Sequence, residues 1–204
     1  QVGTAFLSGA MAEGWEAPAP TGLASKSAVP WTAQSLYQYL RNGHSPRHGI
    51  AGGPMAEVVR ELAHVPDQDI RAMATYLASF QAPASEAQAD EQARRAVANA
   101  QAMQPAPGVA QRLFDGACAA CHHDGNGPTL LGVNTPLALN SNLTSARPDN
   151  LLRTILDGVR EPAARDIGFM PAFREGPGDA PIAQLAGYMR ARFAPQGPAW
   201  GGLP

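Results

Sequence analysis

Apolar positions in this chain recur at helical spacing in short bursts, each cut off by glycine or proline. Ser35-Leu-Tyr-Gln-Tyr-Leu-Arg-Asn-Gly43 reads as a short amphipathic helix stopped by glycine. A loop then runs to Gly52-Gly53-Pro54-Met55. After it, a helix over 67–80 carries Ile70, Met73, Ala74 and Leu77 at helical spacing behind an acidic first turn. The same order returns later in the chain. A helix over 150–158 closes at Gly158, a loop reaches Gly168-Phe169-Met170-Pro171, and a further helix spans 181–193. Gly43 and Gly158 stand 115 residues apart, as do Met55 and Met170, while Tyr76 and Tyr188 are 112 apart. Three landmarks at nearly constant offset predict two copies of one unit. Between the copies, residues 81–107 are rich in Ala, Gln and Pro and read as a linker. Its stretch 84–103 is compatible with a solvated helix ended by Pro105 and Pro107. No alternating β pattern extends beyond a few residues, so the expected class is all-α with long loops.

Composition sharpens this picture. With 21 Gly, 19 Pro and only 6% aromatic residues, the chain has little bulk for a core, and a large cofactor would help fill it. Its net charge is −2 and its pI about 6.2, which gives no basic footprint for nucleic acid. Mean hydropathy is −0.20, and no apolar run approaches the roughly 18 residues of a spanning helix. Gln1–Leu7 shows neither a basic start nor a long apolar core, and a start without Met is expected of a processed chain or a piece of a longer one. The two cysteines, Cys118 and Cys121, are too close for an ordinary structural disulfide. Such a pair signals metal, redox or haem-attachment chemistry.

The next residue, His122, discriminates among these. Cys118-Ala119-Ala120-Cys121-His122 is the pattern of covalent haem attachment. Two thiols on one helical turn can form thioethers to the two vinyl groups of a haem, and the adjacent imidazole can reach the iron. The preceding stretch places Val109, Leu113 and Phe114 on one helical face, so the motif falls at a helix end. A thioredoxin-like pair would want a βαβ context and a reactive, exposed first cysteine. A zinc site would want a second paired motif to complete four ligands. Neither is visible in the sequence.

Downstream lies Gly127-Pro128-Thr129-Leu130-Leu131-Gly132, and here the sequence resembles class I c-type cytochromes. The resemblance implies that the Pro128 carbonyl accepts the Nδ1–H of His122, leaving Nε2 for iron. It also implies a distal methionine on a later Gly/Pro-rich loop, and Met170, 48 residues after His122, fits. The other candidates each meet an objection. His123 adjoins His122 and cannot reach the opposite haem face, and Met189 has the spacing of a packing residue. His44, His48 and His64 lie in the front segment. Gly187 and Tyr188 match the place where the last helix of this family crosses the first, and a small residue there would permit close approach.

The front segment has Met55 in the place of Met170 but no attachment motif. Aligning Thr21 with Thr144 would put the missing motif just before Gln1. Residues 1–80 are therefore expected to be the C-terminal part of one cytochrome c domain, the alternative being a domain that has lost its haem, and 108–204 a complete one. Phe6–Pro18 and Gly52–Val59 are similar to multihaem cytochrome subunits of bacterial dehydrogenases. The run from Leu137 through Asp157 to Met170 is similar to the molybdenum-hydroxylase kind, such as nicotinate dehydrogenase. The resemblance implies electron transfer by haem c between dehydrogenase subunits and a membrane or cytochrome acceptor, on the periplasmic side. The competing reading is a haem sensor or peroxidase-like module with a labile distal Met. No catalytic residue is expected, because two protein ligands leave iron no open position.

Overall fold

Thr32 and Ser35 cap one another at the start of helix α1 (Ala33–Asn42). The Ser35 amide donates to Thr32 Oγ1 at 3.0 Å and the Thr32 amide to Ser35 Oγ at 2.8 Å. The computed structural model describes residues 7–122, 136–160, 162–163, 168–197 and 200–201. Helix α2 (Pro54–Leu62) follows α1, and α3 (Asp67–Ala78) packs back on α1. Leu36 and Leu40 meet Ile70, Ala74 and Trp31 in the front core, and Met55 packs against its edge. The sequence pattern places Met55 in a loop, but it lies in the first turn of α2. Proline at a first helical position loses no hydrogen bond and carries a φ that suits the helix, so Pro54 starts the element rather than ending one.

Helix α4 (Glu86–Ala102) occupies the stretch expected to be helical between the repeats, opened by a reciprocal cap between Ser85 and Gln88. It is not solvated all round. Ala89, Ala93 and Ala100 are buried, and the first two share a small core with Val29 and Leu139. Alanine adds little to an amphipathic pattern, yet it allows close packing wherever a neighbour approaches.

The rear of the chain comprises α5 (Val109–Ala117), a 3₁₀ turn at Leu137–Leu139, α6 (Ser141–Thr144), α7 (Asp149–Asp157) and α8 (Asp179–Phe193). Phe114 of α5 is buried between Tyr188 and Phe193 of α8, with ring centroids 5.7 and 5.5 Å away. Leu151 and Ile155 of α7 and Leu185, Ala186 and Met189 of α8 complete that core, so Met189 is the packing residue its spacing indicates. The helix crossing does not depend on Gly187, where a Cβ would meet nothing within 4 Å. Val109 is exposed at the start of α5, and Ala110 and Leu113 take the inward positions with Phe114.

Strands among the described residues are confined to two short antiparallel hairpins. One joins β1 (Ala10–Ala12) to β2 (Trp15–Ala17), and the other joins β3 (His44–Ser45) to β4 (Gly49–Ile50). No helix among the described residues is long and apolar enough to cross a membrane.

Candidate functional site

Cys118 follows the last residue of α5, and the chain continues from it as a hydrogen-bonded turn. The amides of Cys118 and Ala119 donate to the Phe114 carbonyl at 2.8 and 2.9 Å. Those of Cys121 and His122 donate to the Cys118 carbonyl at 3.1 and 2.9 Å. This single turn holds both sulfurs and the imidazole as one unit, anchored through Phe114 to the core. Both cysteines are half-buried free thiols. Burial pushes the Cys118 thiol up to about 11, with a smaller contribution from Cys121. A disulfide-exchange site favours the opposite, a thiol lowered toward neutrality.

The second part of the candidate site is the loop at Met170, built onto the C-terminal end of α7. The last carbonyls of a helix lack partners within it. Here the loop supplies them, with the Phe173 amide donating to Ile155 O at 3.1 Å and the Arg174 amide to Leu156 O at 3.2 Å. Val159 and Met170 exchange both backbone hydrogen bonds, at 2.9 and 3.1 Å. Arg174 is paired with Asp157 outside this strap. Gly158 makes the close approach possible. Its φ is +70°, and a Cβ there would stand 2.5 Å from Met170 O and 2.8 Å from the Ala172 amide nitrogen. The sequence pattern identifies Gly158 only as a helix stop, and its larger role, seating Met170, depends on a contact 12 residues along the chain.

The structure brings the two parts to one core. Cys118, Ala119, Met170 and Phe173 all pack against the cluster of Phe114, Leu151, Ile155 and Leu185. Two free thiols and an imidazole on one turn are a donor set that fits covalent haem attachment. Pro128, expected to orient His122, and His123 lie outside the described residues. His48 is buried in the front half, stacked on Trp31 with ring centroids 3.6 Å apart, while His64 is exposed. Met55 borders the front core and does not join Met170.

Residues 105–189 match the family model for cytochrome c oxidase, cbb3-type, subunit III. Over 98% of its length the chain is 45% identical to a nicotinate dehydrogenase subunit of Pseudomonas putida, covering 16% of that protein. It is 33% identical to the fructose dehydrogenase cytochrome subunit of Gluconobacter japonicus, over 93% of this chain and 43% of that one. A shorter match, 45% identity over 49 residues, links 24% of the chain to 17% of a diheme cytochrome c-type protein of Cereibacter sphaeroides. The chain thus spans less than half the length of each of these relatives.

Proposed function

From the premise that this chain is a cytochrome c-domain protein homologous to a nicotinate dehydrogenase subunit, we propose that it is an electron-transfer module holding at least one haem c. In this reading Cys118 and Cys121 would carry the covalent links, and His122 and Met170 would hold the iron. Haem c supplies a one-electron iron couple when bound. The chain's own residues set its position and surroundings. The turn after α5 presents both sulfurs and the imidazole together, and Pro128 would hold the ring through Nδ1–H so that Nε2 is the ligating nitrogen. The backbone bonds of Met170 to Val159 and of Phe173 to Ile155 would keep the Met170 thioether from drifting, and a thioether raises the potential above that of a second imidazole. The observation that carries the reading is the packing of Cys118, Ala119 and Met170 against one core.

Electrons would enter from dehydrogenase subunits, of the molybdenum-hydroxylase type, and leave to a membrane quinone pool or another cytochrome on the periplasmic side. Residues 108–204 form the complete cytochrome c unit in this account, and 81–107 connect it to the rear part of a second unit within 1–80. Tyr76 supports that division. It is 53% exposed on α3, whereas Tyr188, at the matching place on α8, is 9% exposed against Phe114. Among the described residues, the front half has the landmark tyrosine and lacks a helix that covers it.

The test is acid–acetone extraction of the mature protein, followed by carbon monoxide binding to its ferrous form. Pigment that stays with the chain, is lost from a Cys118→Ala/Cys121→Ala variant, and resists carbon monoxide supports the reading. Full extraction would overturn covalent attachment, and rapid carbon monoxide binding would overturn Met170 ligation in favour of a sensor.

A further inference from the structure

The hairpin β1–β2 lies early in the front half, yet most of its partners lie elsewhere. The Glu16 amide donates to Asn150 Oδ1 at 2.7 Å, and Asn150 Nδ2 donates back to the Glu16 carbonyl at 2.9 Å. This reciprocal pair is the recognition a β-ladder would give, supplied by one side chain on the first turn of α7. Ser145 Oγ donates to the Glu16 carboxylate at 3.0 Å, and Lys26 pairs with the same carboxylate. One turn further along α7, Arg153 Nε donates to the Gly14 carbonyl at 2.6 Å. All but the Lys26 pair tie residues 14–16 to the rear half.

The intervening residue, Trp15, points elsewhere. Its ring lies against Gly52 and Gly53 at the start of α2. Gly53 has φ +52°, and a Cβ there would overlap the indole, so the glycine is required both by its backbone and by this contact. Met55 follows two residues later. At the other end, α7 carries the strap that seats Met170. The hairpin therefore links the start of α2, just before Met55, to the N-terminal part of the helix that carries the Met170 strap.

We propose that the hairpin Ala10–Ala17 is a clasp that fixes the front half of the chain on α7, so that the Met55 turn and the Met170 strap move as one body. This goes beyond the haem assignment and does not rest on it. A second seam exists, in which the Ser141 amide donates to the His48 carbonyl at 3.1 Å and Thr144 Oγ1 donates to the Lys26 carbonyl. The clasp differs from it in meeting both the start of α2 and the helix that carries the Met170 strap.

The test is hydrogen exchange on the full mature chain, comparing wild type with Asn150→Ala and Arg153→Ala. Asn150→Ala should speed exchange of the hairpin amides by on the order of tenfold. The amides of Met55 and Ala56, bonded to Gly52 and Gly53, should follow, while α8 stays protected. Arg153 is partly exposed, so its replacement leaves the core intact and should give the same pattern more weakly. In a Trp15→Ala background, Asn150→Ala should no longer reach the Met55 turn. Faster exchange confined to the hairpin would overturn the clasp, as would no change, or an Asn150 effect that persists without Trp15.

Discussion

Two methionines at equal offset sit beside proline in opposite orders, Pro54-Met55 and Met170-Pro171, and the order decides their structure. A residue before proline is pushed out of the helical region, so Met170 stays extended and pairs with Val159. A residue after proline is free to continue a helix that the proline began, and Met55 does so. The same comparison holds one level up. Helix α8 closes on α5 through Phe114, while its counterpart α3 closes on α1 and leaves Tyr76 half in solvent. Equal spacing marks two segments as copies of one pattern; what each does depends on the partners that reach it.

The sharpest way to break this comparison is to truncate each methionine in turn. Met170→Ala should abolish the weak sulfur-to-iron band of the oxidised protein and lower its potential, whereas Met55→Ala should leave the spectrum of the Cys118-linked haem unchanged. Visible spectroscopy and redox titration read both. Phe114→Ala removes a fully buried ring between two aromatic neighbours and should cost about 3–5 kcal/mol, against about 0.5 kcal/mol for Tyr76→Ala. Denaturant melts of the two variants measure the difference. Equal costs would mean that α3 is covered as fully as α8.

Acid provides a test specific to the front half. Burial lowers the His48 pKa from 6.5 to about 4, so the unfolded chain takes up this proton more readily than the folded one. Stability should therefore fall as pH drops from about 6.5 and level off near 4, by roughly 3 kcal/mol in all. A His48→Gln variant should lose that slope, and melts between pH 7 and 4 would show it. A more local effect is expected at Gly158, where alanine meets both a positive φ and the Met170 carbonyl and should cost about 1–3 kcal/mol. A disturbed sulfur-to-iron band in Gly158→Ala, with α5 unaffected, would sharpen the claim that this glycine seats the ligand loop.

Much of this architecture is legible in the residues alone. The helices over 35–43, 67–80, 150–158 and 181–193 form within a few residues of their expected bounds, because each has a periodic apolar face and a local stop signal. The attachment turn is legible for a related reason, since two thiols and an imidazole within five residues need only one helical turn to come together. Helix α2 is obscured because Gly-Gly-Pro serves equally as a loop and as a helix start. The burial of α4 is obscured because alanine carries almost no directional signal.

By itself, then, the sequence determined what short-range geometry can enforce: the helical segments, the Cys118–His122 turn, and the extended backbone before Pro171. Tertiary structure alone decided what lies across chain distance. It set the seating of Met170 over Gly158, the Ala face of α4 against Val29 and Leu139, and the docking of Glu16 on Asn150. These contacts join residues from 12 to 134 positions apart, and each becomes favourable only once other elements have met to share the entropy cost of closing the loop.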